Sequence, residues 1–173
     1  MTIERSSRPV SAARIRRVAR QLLDASTLCA IATVSRGGRA HVNTAYFAWG
    51  SDFRLVWISE PHAKHSRHLR ANASVAIAVY ESTQSWGQPD RGIQLFGSAR
   101  ELTGDSAQDA RRIYANRFPD YRESELGAYL PYEFRPSRMK LFDERALGAA
   151  AFVTARVGRN GDVTWVRTEI YHQ

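Results

Sequence analysis

Residues 62–72 read HAKHSRHLRAN and gather three of the chain's five histidines, with Lys64, Arg67 and Arg70, into one short stretch. Side chains of these types can ligate a metal, touch nucleic acid, hold a phosphate, or simply solvate a helix face. Metal ligation is disfavoured by the spacing. His62, His65 and His68 repeat every three residues, which sweeps them around a helix instead of stacking them at i and i+4, and Glu60 is the one carboxylate close by. The phosphate reading is physically sound. A loop that leaves a strand and enters a helix offers free backbone N–H groups and the positive end of the helix dipole, and here Lys64, His65, Ser66 and Arg67 surround it. A solvated basic helix satisfies the same residue types, so at this level both readings stand.

The bulk charge narrows the partners. The formal net charge is +8, but the basic residues are nearly all arginine and are scattered from Arg5 to Arg167, with no basic tract and no interleaved stacking aromatics. That distribution speaks against dedicated nucleic-acid binding and suits anionic ligands in general. No apolar run reaches about eighteen residues, and MTIERSSRPV lacks the apolar core of a signal peptide, so no membrane association and a cytoplasmic location are expected. Cys29 lies within LCAIATV and is expected to pack as a small hydrophobe. No Ser/His/Asp order, HExxH or GxxxxGK[ST] nominates another catalyst. His41 and His68 can titrate near neutrality; the competing readings are a strand-face and an exposed helix histidine.

The elements that must position these residues follow from periodicity. The first ten residues are polar and are expected to be flexible, leaving 11–173 as one domain. Ser11 caps a helix whose stripe is Ile15, Val18, Ala19, Leu22 and Leu23. LCAIATV reads as a buried strand, RGGR as a turn, and AHVNTAYFAW as an alternating strand that sends Val42, Thr44 and Tyr46 one way and His41, Asn43 and Ala45 the other. FRLVWIS is the next strand, followed by a short helix after Pro61, the strand SVAIAVY, the polar loop ESTQSWGQPDR, and GIQLFGSAREL, where Gly97 marks a bulge or a close approach. Asp105 is expected to cap a helix to about Phe118, and a second short helix to cover Glu123 to Tyr129. RPSRMKLFDE, AAFVTARV, the turn GRNG and DVTWVRTEI close the chain. The pattern predicts a mainly β, α+β fold with peripheral helices: an antiparallel, six-stranded split β-barrel.

In this order, the stretches HVNTAYFAW, FRLVWISEPHAKHSRHLRANASVAIAVY and GIQLFGSAREL resemble the pyridoxamine 5′-phosphate oxidase-like, flavin-binding split-barrel superfamily. The resemblance implies FMN in a groove at a two-fold homodimer interface, with a small-molecule substrate. It places the phosphate at Lys64, His65, Ser66 and Arg67, the isoalloxazine beside Ile58 and Ser59, and Asn43 beneath the ring. Gln94 becomes a ring or ribityl contact, and Trp86 and Gln88 approach from the partner subunit. In that reading Arg70, one step beyond the phosphate turn, faces solvent. Tyr46, Trp49 and Trp57 are of a type that stacks on flavin, although packing is the commoner use of such residues.

The departures from the family pattern are equally informative. Vitamin B6 oxidases carry a basic pair on the second strand, where this chain has Asn43 and Ala48, and an arginine-bearing C-terminal motif, where it has WVRTEIYHQ. The resemblance therefore points to an FMN-dependent oxidoreductase other than a vitamin B6 oxidase. The same fold with deazaflavin or haem is the second reading. A non-enzymatic basic binding module, recognisable by arginines clustered on one surface, is the third.

Overall fold

A computed structural model describes residues 2–122, 124 and 128–172. The expected helix at 123–129 falls largely outside them. Among the described residues ten strands and four helices follow one another: β1 (Thr2–Ser6), α1 (Ala12–Asp24), β2 (Leu28–Val34), β3 (Ala40–Tyr46), β4 (Ala48–Trp49), β5 (Leu55–Ser59), α2 (Lys64–Ala71), β6 (Ser74–Tyr80), β7 (Arg91–Glu101), α3 (Gly104–Arg117), β8 (Leu130–Asp143), α4 (Glu144–Leu147), β9 (Ala151–Val157) and β10 (Val163–His172).

The strands form one antiparallel sheet in the order β1-β10-β9-β8-β7-β6-β2-β3, with β5 pairing β8 and β4. The long strand β8 explains the split. Its first part, from Leu130 to Phe134, pairs with β5, while its last part, from Arg138 to Phe142, has exchanged β5 for β9. Between them the β7–β8 register shifts at Phe96/Gly97, and a Cβ at Gly97 would fall 2.0 Å from the Arg135 carbonyl oxygen. Gly97 is thus the close-approach residue its place in the sequence suggested, and what it admits is backbone. On the other side β3 pairs with β2 alone, so the barrel stays open between β3 and β5.

The fold class is as the pattern predicts, but the sheet is larger than six strands. β9, β10 and β1 extend it beyond the barrel. The first residues do not dangle: Thr2–Ser6 pair in register with Thr168–His172. Their polarity reflects an edge strand with exposed side chains, whose order comes from backbone hydrogen bonds that hydropathy does not register. α3 begins at Gly104 after an N-cap at Thr103, so Asp105 sits in the first turn and favours the helix through its charge.

The stripe of α1 is wholly buried, with Ser11 capping it by accepting from the Arg14 N–H. Burying each large apolar side chain of this stripe contributes about 1.5–3 kcal/mol. Trp57 lies at 0% exposure, stacked on Tyr132 at 5.5 Å, and Trp49 stacks on Phe53, so both are packing residues. Cys29 is buried, and burial pushes its thiol up to about 12. Arg117 ties α3 to the end of α1: its Nη2 donates to the carbonyls of Leu23 (2.9 Å) and Ser26 (2.7 Å), and its guanidinium lies over Phe47.

Candidate functional site

The sequence 62–72 folds as a turn and the short helix α2, and the helix divides its polar residues between two faces. His65, Ser66 and Leu69 turn inward and are buried. The Ser66 hydroxyl donates to the Glu60 carbonyl at 2.9 Å, and His65 Nε2 lies 2.8 Å from the Ser59 hydroxyl. These contacts pin the β5–α2 connection, so the hydrogen-bonding capacity of Ser59, His65 and Ser66 is directed at the protein. Lys64 and Arg67 are exposed, and among the described residues neither side chain has a hydrogen-bond or ion-pair partner. At i and i+3 they share one face, and His68 at i+4 from Lys64 completes it.

Arg70 is exposed, as expected, but it is also held by the chain. Its Nη2 donates to the Pro61 carbonyl (2.7 Å) and to Glu101 (3.0 Å), and Glu101 also accepts from the Tyr132 hydroxyl (3.1 Å). A chain of contacts thus runs from the core tyrosine to the turn that precedes α2. The i−9 reach to Pro61 is a tertiary contact that helical periodicity does not encode.

α2 lies over the barrel opening, where β2 and β3 present Thr33 and His41. His68 Nδ1 is 3.2 Å from the Thr33 hydroxyl, and its ring meets His41 edge-on at 5.5 Å. Desolvation lowers the His68 pKa, and the charges of His41, Lys64 and Arg67 lower it further. Burial likewise lowers that of His65, with His41 and His68 adding to the effect and Glu60 opposing it. Two residues along β3, Asn43 faces the same way as His41 and is half-buried. Its Oδ1 is buried with no partner among the described residues, while its Nδ2 makes a long 3.4 Å contact to the Thr44 carbonyl. Such an acceptor is costly unless a donor reaches it. Ile58, half-buried at the end of β5, belongs to the strand on the far side of the opening. Asn43 on β3 and Ile58 and Ser59 on β5 thus lie on the two strands that flank the opening, with α2 fixed to the second through Ser59.

The remaining expected contacts lie elsewhere in the chain. Gln94 is exposed on the outer face of the sheet, between Ala78 and Lys140. Trp86 and Gln88 occupy the loop after Tyr80, at the opposite end of β6 from α2, roughly 20 Å away at about 3.3 Å per residue along the strand. The loop is anchored by Gln84, which accepts from the Arg91 N–H at 2.7 Å, and by Glu144, which accepts from the Asp90 N–H. Trp86 itself is fully exposed. One chain does not bring the ten expected residues together.

Sequence reasoning missed the character of the outer face. β2 and β6 each carry the triplet Ala-Ile-Ala, whose isoleucines enter the core and whose alanines face out. Ala30, Ala32, Ala76 and Ala78, with Gln94 and Phe96, line a shallow concavity of about 360 Å³. Beside it Leu28, Val42, Tyr46 and Tyr80 are each at least 45% exposed. The repeated triplet was the available signal. Among the described residues no three His, Cys, Asp or Glu side chains are arranged to hold a metal ion, and no helix is long and apolar enough to cross a membrane.

An antiparallel barrel open along one seam, with a cation-bearing helix over the opening, is the architecture of the split-barrel proteins. The chain belongs to the pyridoxamine 5′-phosphate oxidase family, whose model matches residues 15–143. It is 31% identical over 121 residues to a UPF0306 protein of Klebsiella pneumoniae subsp. pneumoniae, covering 66% of this chain and 76% of that protein. Among solved structures it resembles the heme storage protein HutZ of Vibrio cholerae, with a TM-score of 0.59 and 20% identity over 68% of this chain and 87% of that one. It also resembles an FAD-binding protein of Mesorhizobium loti, with a TM-score of 0.62 and 18% identity over 81% and 98% of the two chains. Identities this low establish the shared fold; the ligands named belong to those proteins.

Proposed function

We propose that this protein is an FMN-dependent oxidoreductase that works as a homodimer on a small-molecule substrate. The observation that carries the reading is the unpartnered pair Lys64 and Arg67 on one face of α2, at the same opening as the orphaned Oδ1 of Asn43. Two cations without protein partners suit a phosphate, and a buried acceptor without a donor suits a ring N–H. FMN has both groups, and bound there it would supply the electron or hydride transfer itself. The protein's part is then to fix the phosphate through Lys64 and Arg67, to offer Asn43 to the ring, and to hold α2 in place through Ser59, His65, Ser66 and Arg70.

What one chain leaves uncovered supports the homodimer. Leu28, Val42, Tyr46 and Tyr80 form an exposed apolar rim that a monomer has no reason to keep wet. A two-fold pairing of outer faces would bury that rim and carry the partner's Trp86 loop from the far end of the sheet toward α2. Haem is the second reading, favoured by the His41–His68 pair at the opening and by the likeness to HutZ.

The absorbance spectrum of purified protein and an FMN titration followed by fluorescence quenching test the reading. FMN should bind saturably, and Arg67→Ala should weaken it roughly ten- to hundred-fold, the loss of a charge-assisted contact worth about 1.5–3 kcal/mol. Arg20→Ala, on the solvated face of α1, should change little. Equal losses in both variants, or no FMN binding by the unaltered chain, would overturn it; a Soret band after haem addition with no FMN binding selects the second reading.

A further inference from the structure

Across the outer face one row of directly paired residues runs Val42, Ala32, Ala76, Phe96, Arg138, Arg156. Four strands of apolar or aromatic character thus lead into two arginines that sit opposite each other on β8 and β9. Like charges in directly opposed positions destabilise a sheet. Both are exposed, and among the described residues neither has a carboxylate partner; Arg138 rests on the Phe96 ring, 4.6 Å from its centroid. The one carboxylate on this part of the face, Glu169, is engaged by Lys140 at 3.5 Å and Arg167 at 3.0 Å. Among the described residues the face beyond Phe96 therefore carries five cations, Arg138, Arg156, Lys140, Arg167 and, opposite Glu169 on β1, Arg5, against a single anion. Thr154, between Lys140 and Arg167 in the adjoining row, is 2% exposed and its hydroxyl has no partner.

The alanine-floored concavity begins where this cationic ground ends, at Phe96 and Gln94. Its floor of methyl groups is shallow because the side chains that line it are small, and its volume of about 360 Å³ falls in the range of small-molecule sites. Gly92, beside it on β7, accepts the Phe142 ring so closely that a Cβ there would fall 2.5 Å from it, which keeps that aromatic flat against the sheet.

We infer that Arg138 and Arg156 together hold the anionic group of a small planar molecule whose apolar body lies along Ala76, Ala78 and Phe96. This deepens the proposed function by naming a substrate class, an aromatic or conjugated carboxylate or phosphate, and rests on that reading for the chemistry though not for the binding. A second copy resting on the rim of Leu28, Val42, Tyr46 and Tyr80 would roof the concavity. The small floor residues leave room beneath such a roof, and the two guanidiniums then face an enclosed, poorly screened anion.

The test is binding of 2-naphthoate, 2-naphthyl phosphate and the neutral 2-naphthamide to the full chain, measured by ligand fluorescence and repeated with FMN present. At least one anion should bind ten-fold or more tightly than the amide, and whichever binds better identifies the anionic group. Arg138→Gln and Arg156→Gln should each remove most of that preference, Ala76→Leu should weaken all three ligands by filling the floor, and Arg20→Gln, on the solvated face of α1, should change nothing. Both glutamine variants should unfold at the same or a higher temperature than the parent, because a repulsion has been relieved, whereas arginines kept for stability would give lower values. Equal affinity for anion and amide, unchanged binding in both glutamine variants, or lowered unfolding temperatures would overturn the inference. Since these measurements do not require FMN, absent FMN binding would defeat the functional reading and leave this one standing.

Discussion

Two groups of cations in this protein differ in what the chain gives them to hold. Around Glu133, buried at the start of β8, Arg135 donates at 2.8 Å, Arg54 at 3.4 Å and Arg100 at 3.5 Å, and Arg54 reaches on to Asp109. On α2, Lys64 and Arg67 have no such partner among the described residues. The first group joins α3, the β4–β5 turn and β8 into one body; the second joins nothing among the described residues. The lesson is that a surplus of +8 says little until each cation is assigned. Much of the scatter of arginines along the sequence proves to be internal, with Arg14 and Arg16 on backbone carbonyls and Arg117 on the end of α1.

The largest effect that can sharpen this comparison is Glu133→Gln. Burial alone would raise the carboxyl's pKa, yet Arg135, Arg100 and Arg54 overcome that and hold it below its ordinary value of 4.5. Removing the charge leaves three guanidiniums without their common acceptor, and urea unfolding should show a loss of about 3 kcal/mol. Loss of half a kcal/mol or less would make the network ornamental and erase the distinction from α2. The direction with pH follows. The folded pKa is depressed, so the network's contribution is fully present above about pH 4.5 and is lost as pH falls through the lower folded value.

Arg70 and Arg67 bring the comparison onto a single helix. Arg70→Ala removes the donor to Pro61 and Glu101 and should cost about 1 kcal/mol of stability, while Arg67→Ala should cost less than about 0.5 kcal/mol. Chemical denaturation of the two variants side by side measures both. If Arg67→Ala proved the more damaging, its side chain would belong with the structural group.

How far all this could be read from the sequence depended on whether the signal was local. The stripe of α1, the strand LCAIATV, the alternation of β3 and the bulge at Gly97 were legible because hydropathy period and glycine geometry act over a few residues. The edge strand β1 was not, since its order comes from pairing with residues more than 160 positions away. At the site, the stretch containing Lys64 and Arg67 stood out by composition. Which of its residues turn inward did not: His65 and Ser66 are as polar as their neighbours, and only the placement of Ser59 and the Glu60 carbonyl decides that they become anchors. The pairing of Arg138 with Arg156 depends on register between β8 and β9, which no local pattern carries.

The histidines of the opening give a smaller, pH-dependent contrast between the inward and outward faces of α2. His65 and His68 both have folded pKa values below the ordinary 6.5, so below that pH the unfolded chain binds more protons than the folded one. Stability should therefore fall as pH drops from about 6.5, ahead of the loss from Glu133. In His65→Gln, which keeps a hydrogen-bonding group facing Ser59, that first decline should shrink while the carboxylate-dependent one stays. Thermal unfolding across pH 4 to 8 separates the two. An unchanged profile in His65→Gln would assign the first decline to groups other than this histidine.

The smallest expected effect is the one that best isolates binding from folding. Trp86 is fully exposed at the tip of a loop whose order comes from Gln84, Arg91, Asp90 and Glu144, none of which touches the indole. Its ring has no packing partner among the described residues, so Trp86→Ala should leave the unfolding of ligand-free protein within about 0.5 kcal/mol of the parent when compared at dilutions that hold both chains monomeric. In the proposed FMN-binding homodimer the same substitution should weaken FMN binding, because there the second copy would bring that ring from the far end of β6 to α2. The pair of measurements distinguishes three situations. Loss of monomer stability would mean that the indole packs in its own chain. Weakened FMN binding only in the associated state would place it in the partner's site, and no change in either state would leave the cationic face of α2 and Asn43 as the whole of the cofactor's contacts.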